Sequence, residues 1–174
     1  MYRSICLPLQ QSAQQEQAQQ IALDLAGLFD GKITGIKTTS ATRQATRRER
    51  LADLLPDEWR PNGGALAVVE EEVAKLDSAP FDVKQVDGGA LLGISSTLKD
   101  GDYDLLVLPA SQVGDAGLMG PLAERLVRRS HVDMLIVRNT EPVPDDAPIV
   151  VCIDGSQEAY GGLKQALELG RKTG

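Results

Sequence analysis

The chain has 174 residues, room for one ordinary domain and a remainder. Its 42% hydrophobic content can fill a core, and with aromatics at 3% that core must be built from Leu, Val, Ile and Ala. A formal net charge of −7, no apolar run approaching a membrane span and no signal peptide at the N-terminus argue against a general nucleic-acid or membrane binder, so a soluble cytoplasmic protein is expected.

"SICLPL" opens the chain as a short buried strand. Ser12 followed three residues later by Gln15 is a capping-box pattern. Ala18, Ile21, Leu25 and Leu28 then predict a helix over about 13–29 with one apolar face. Asp30-Gly31 ends it, and "KITGIKT" reads as a second strand. The stretch from Thr38 to Asn62 is the least regular. "TRQATRRERLADLL" could be a helix with Leu51, Leu54 and Leu55 on one side. Its arginines, Arg43, Arg47, Arg48 and Arg50, read as a solvated basic face, with a phosphate or nucleic-acid contact as the alternative. "PDEWRPNGG" is a loop carrying Trp59, the only tryptophan.

Leu66, Val69, Val73 and Leu76 mark another helix, and "PFDVKQV" is a strand. "DGG" turns into a helix with Leu91, Ile94 and Leu98 on its core side. "DYDLLVLP" is the most continuous apolar strand, and "ASQVGDAGLMG" is a glycine-containing loop. Leu118, Leu122 and Leu126 mark the next helix, with Arg125, Arg128 and Arg129 toward its C-terminal end, where cations suit the helix dipole. "DMLIVRN" is the fifth strand. Strands alternating with amphipathic helices imply an α/β fold: an open five-stranded parallel sheet with helices on both faces and right-handed crossovers. The first domain is placed at 1–140 and a Pro/Asp linker at 141–148. The first strand and helix of a second copy follow at 149–174.

Little supports a hydrolase or a redox enzyme. Cys6 and Cys152 both lie in apolar runs and are expected to be buried, reduced thiols. His131, the only histidine, sits between a helix and a strand, so a His-based zinc site has too few ligands and a Ser–His–Asp relay would hang on one residue. There is no Gly-x-Ser-x-Gly elbow, Walker loop or Cys-x-x-Cys, and Asp102 and Asp104, ahead of a strand, read as solvated.

"IVVCIDGSQ", from Ile149, repeats the opening of the chain. Placing Ser156 over Ser12 is a shift of 144 positions. It sets Ile153 on Leu9, Ala166 on Ala22, Leu167 on Leu23, Glu168 on Asp24 and Leu169 on Leu25.

With these residues the chain resembles the universal stress protein family. "IVVCIDGSQEAYGGLKQALELGRK" is similar to the family's opening strand, Asp-Gly-Ser turn and helix. "LMGPLAERLVRRSHVDMLIVR" resembles its closing segment, and "DVKQVDGGALLGISSTLKDGDYDLLVLP" the strand–helix–strand before that. The resemblance covers 1–37 and 81–138 well, 38–80 loosely, and resumes over 148–174. It implies a Rossmann-like fold of the adenine-nucleotide α-hydrolase type. It also implies, for some members, ATP held by a Gly-x2-Gly-x9-Gly loop with a following Ser or Thr, and an acid after the first strand at the nucleoside end.

The complete copy departs from that pattern. Gln10 stands where the acid is expected and Gln11 where the glycine is. Pro109 and Gln112 replace the first two loop glycines. Gly120 matches the last, and Pro121 replaces the hydroxyl residue. Proline brings no N–H. Gly114 and Gly117 could make a substitute nest, or be turn glycines.

The resemblance therefore implies a degenerate first-copy nucleotide site, with Gln10, Ser12, Gly114, Gly117 and Gly120 as its residues. Asp154, Gly155 and Ser156 would form an incomplete second-copy site, and these three also read as a plain turn and helix cap. A non-catalytic signalling or interaction module of the stress response is expected. No cofactor is expected in this chain, and ATP is possible in the intact protein. The alternatives are an ATP-binding switch or weak ATPase, with ligand at the C-terminal ends of strands one and four, and a cytoplasmic regulatory domain of a transporter or kinase. The expected partner is a second copy or the rest of a second domain, with "DMLIVR" as the pairing edge. No membrane or nucleic-acid partner is expected. The unit starting at Ile149 is expected to open the second domain of a truncated or proteolysed tandem protein. If ordered, its Val150, Val151 and Ile153 should be covered by the first domain or a neighbouring chain.

Overall fold

Five short segments, the central ones aliphatic and the edge strand at Phe81–Val86 alternating and mostly exposed, become the strands of one sheet. In the computed structural model, which describes residues 2–10, 12, 14–38, 81–109, 120–138, 141, 144 and 147–173, they are β1 (Ser4–Pro8), β2 (Lys32–Thr38), β3 (Phe81–Val86), β4 (Leu105–Pro109) and β5 (Asp133–Val137). All neighbours pair in parallel, in the order β3-β2-β1-β4-β5, so β1 is central and β3 and β5 are edges.

Successive side chains of a strand point to opposite faces, and the core divides accordingly. Ile5, Leu7, Leu105 and Val107 pack with α1 (Gln15–Phe29). Cys6, Leu106 and Leu108 pack with α2 (Ala90–Asp100) and α3 (Pro121–Val127). The expected parallel sheet with helices on both faces is what forms. Each fully buried Leu, Ile or Val contributes about 1.5–3 kcal/mol, and the central strands supply most of them.

The face of α1 differs from the expectation. Its buried stripe is Ala18, Gln19, Ala22, Ala26 and Phe29, while Ile21, Leu25 and Leu28 are only half-buried. Small side chains let the helix lie close on β1 and β4, and the larger ones flank the contact. The helix also begins at Gln15 rather than near residue 13. It ends as expected at Asp30-Gly31. Asp30 itself takes the left-handed conformation (φ 53°), and the Gly31 N–H bonds to Ala26 O at 2.8 Å. Glycine is required at 31 because a Cβ there would stand 2.9 Å from Tyr2 O.

On α2, Ile94 and Leu98 are buried and Leu91 packs at the margin, as the spacing predicts. Asp104 is exposed but engaged: its Oδ2 accepts from the Arg3 N–H at 2.8 Å and the Ser4 N–H at 3.0 Å, fixing the start of β1. Arg125, Arg128 and Arg129 are exposed, and Arg128 pairs with Glu124 at 3.1 Å. The basic segment Arg43–Arg50, Trp59 and the helix marked by Leu66 to Leu76 lie outside the described residues.

Residues 2–140 form one unit and 141–174 a second. The second contains α4 (Gln157–Thr173). The strand expected at 149–153 does not form there. A strand needs a hydrogen-bonded neighbour, and the described residues of this unit offer no other extended segment. Of the side chains expected to be covered, Val150 and Ile153 are 82% and 51% exposed and Val151 is half-buried; Ile149 beside them is 49% exposed. Cys152 is exposed for the same reason, against the expectation of burial. Cys6 is fully buried, and burial pushes its thiol up to about 12.

Candidate functional site

β1 delivers its C-terminal end to the turn that enters α1, beside the C-terminal end of β4. In open α/β sheets this is where ligands bind. Leu9 N–H still bonds to Ile36 O at 2.8 Å, extending the ladder one residue past the strand. The chain then folds on itself. Ser12 N–H bonds to Gln10 O at 3.1 Å, and Gln15 N–H to Ser12 O at 3.1 Å.

The capping box forms only in part. Gln15 reaches back as expected, but its Oε1 accepts from the Gln10 N–H at 2.9 Å and not from Ser12. The Ser12 hydroxyl makes no cap, and no side chain caps α1 at Gln14. Among the described residues, the buried side-chain polar atoms without a hydrogen-bond partner are Gln10 Nε2, Ser12 Oγ, Gln15 Nε2 and Ser95 Oγ. Three of the four lie in this one turn. Gln15 was read from sequence only as half of a cap. The glutamine-rich run around Ser12 was the signal that this turn is lined by neutral amides.

On the β4 side, Pro109 is the last residue of the strand, in register with Val137. Gly120 is buried and stands just before α3, with Pro121 as the first helical residue. Glu124 N–H bonds to Gly120 O at 3.1 Å. Gly114, Gly117 and Gln112 lie outside the described residues.

The second turn is built differently. Asp154 Oδ1 accepts from Ser156 N–H at 2.9 Å, and Ser156 Oγ accepts from Ala159 N–H at 3.1 Å, capping α4. Gly155 sits at φ 88°, a conformation that favours glycine. The hydrogen bonds from Ser156, side chain first and then backbone, hold the Asp154 carboxyl below its ordinary value. Among the described residues, no group of three His, Cys, Asp or Glu side chains could hold a metal.

The model of the universal stress protein family matches residues 1–138. No curated protein matches the chain. Among solved structures, universal stress protein UspA from Lactobacillus plantarum is similar, with 17% identity over 79% of this chain and 98% of its own and a TM-score of 0.56. A universal stress protein solved in complex with cAMP is 19% identical over 80% of this chain and 98% of its own, at a TM-score of 0.54. A universal stress protein from Archaeoglobus fulgidus DSM 4304 is 15% identical at a TM-score of 0.54, and its match covers 78% of this chain but 44% of its own. At these identities the likeness is one of fold.

Proposed function

The chain belongs to the universal stress protein family, and from that premise we propose that it acts as a non-catalytic signalling and interaction module of the stress response with an altered nucleotide site in its first unit. The observation that carries this reading is the turn after β1. Where the resemblance calls for an acid, Gln10 is neutral, and its backbone N–H is occupied by Gln15 Oε1 at 2.9 Å. Pro109 and Pro121, standing for two residues of the phosphate loop, bring no N–H to an anion. A phosphate cradle works through backbone N–H groups, so these substitutions remove donors rather than merely reshape the loop.

Residues 149–174 are the opening of a second unit in this reading, after a linker over 141–148. Ile149 Cδ1 lies 3.9 Å from where a Cβ on Gly170 would stand. With the shift of 144 positions this pair falls on Ile5 and Ala26, which belong to one core cluster in the first unit. The Archaeoglobus neighbour, matched over less than half its length, is a chain with room for two such units. Any complete nucleotide site of the intact protein then belongs with Asp154 in the second unit, where ATP is the expected ligand. The partner is a second copy, paired along the edge strand β5, or the remainder of the second unit. A cytoplasmic location fits the absence, among the described residues, of a helix long and apolar enough to cross a membrane.

The alternative, an ATP-binding switch or weak ATPase with ligand at the ends of β1 and β4, draws on the fold neighbour solved with cAMP. Isothermal titration of the 174-residue chain with ATP and magnesium separates the two. The expected result is no saturable heat at micromolar nucleotide. Micromolar binding overturns the altered-site reading.

A further inference from the structure

We draw no further inference here: the strongest candidate, the exposed apolar surface of the second unit carried by Ile149, Val150 and Ile153 with Tyr160 and Leu167 of α4, has nothing among the described residues to show what covers it.

Discussion

Residues 4–29 and 148–173 carry the same order of apolar run, turn serine and helix, yet they end in different states. In the first, Ile5, Cys6 and Leu7 are fully buried between β2 and β4. In the second, Ile149 and Val150, which fall on Ile5 and Cys6, are half-exposed and almost bare. The helix forms in both places and the strand in only one. A helix closes its hydrogen bonds within its own segment, whereas a strand borrows them from its neighbours. The turns diverge in the opposite sense. Ser156 caps its helix through Ala159 N–H, while Ser12, in the first unit, caps nothing. The local cap is therefore made at the second turn and not at the first.

The largest effect that separates the two regions should come from truncating matched isoleucines. Ile5→Ala should cost about 2–5 kcal/mol of unfolding free energy, and Ile149→Ala under about 0.5 kcal/mol, by urea titration of the whole chain. Equal losses would mean that the second run is packed in solution. Next comes overpacking of the small-residue stripe. Ala22→Leu should cost about 1–3 kcal/mol because Ala22 is fully buried against the sheet. Ala166→Leu, the matched change, should be close to neutral, and thermal melts of the two variants give the contrast.

The caps differ by less. Ser156→Ala should cost α4 about 1 kcal/mol, read as faster amide exchange in its first turn. Ser12→Ala should leave α1 unchanged, since its hydroxyl accepts nothing there. The smallest effect is electrostatic. Asp154 is held below its ordinary 3.8 by Ser156, so its contribution to the turn is present above that pH and is lost as pH falls through the lower, folded value. Helicity of α4, followed by carbonyl shifts, should stay flat above pH 4 and decline below it. A decline centred near neutral pH would assign the cap to another group.

The sheet was legible because "SICLPL", "KITGIKT", "DYDLLVLP" and "DMLIVRN" are short segments rich in aliphatic residues between polar stretches, and each became a strand. The α1 contact was less so. Periodicity favours Ile21 and Leu25 because they are the most apolar, but close approach to a sheet selects Ala18, Ala22 and Ala26. The replacement of the expected acid by Gln10 could be read by alignment. That Gln15 would reach past Ser12 to Gln10 could not, because the fold of the turn, in which the Ser12 N–H is already bonded to Gln10 O, decides which N–H its side chain meets. The missing strand at 149–153 has a similar cause. Its sequence is as strand-like as that of β1, and pairing partners lie outside its own residues.

Amide hydrogen exchange of the whole chain tests most directly the claim that one sequence pattern is packed as a strand at residues 4–8 and left open at 149–153. Amides of Ile5, Cys6 and Leu7 should exchange only through global unfolding, while those of Ile149 to Ile153 exchange at nearly unprotected rates and α4 shows intermediate protection. Matching protection of the two runs would contradict the account.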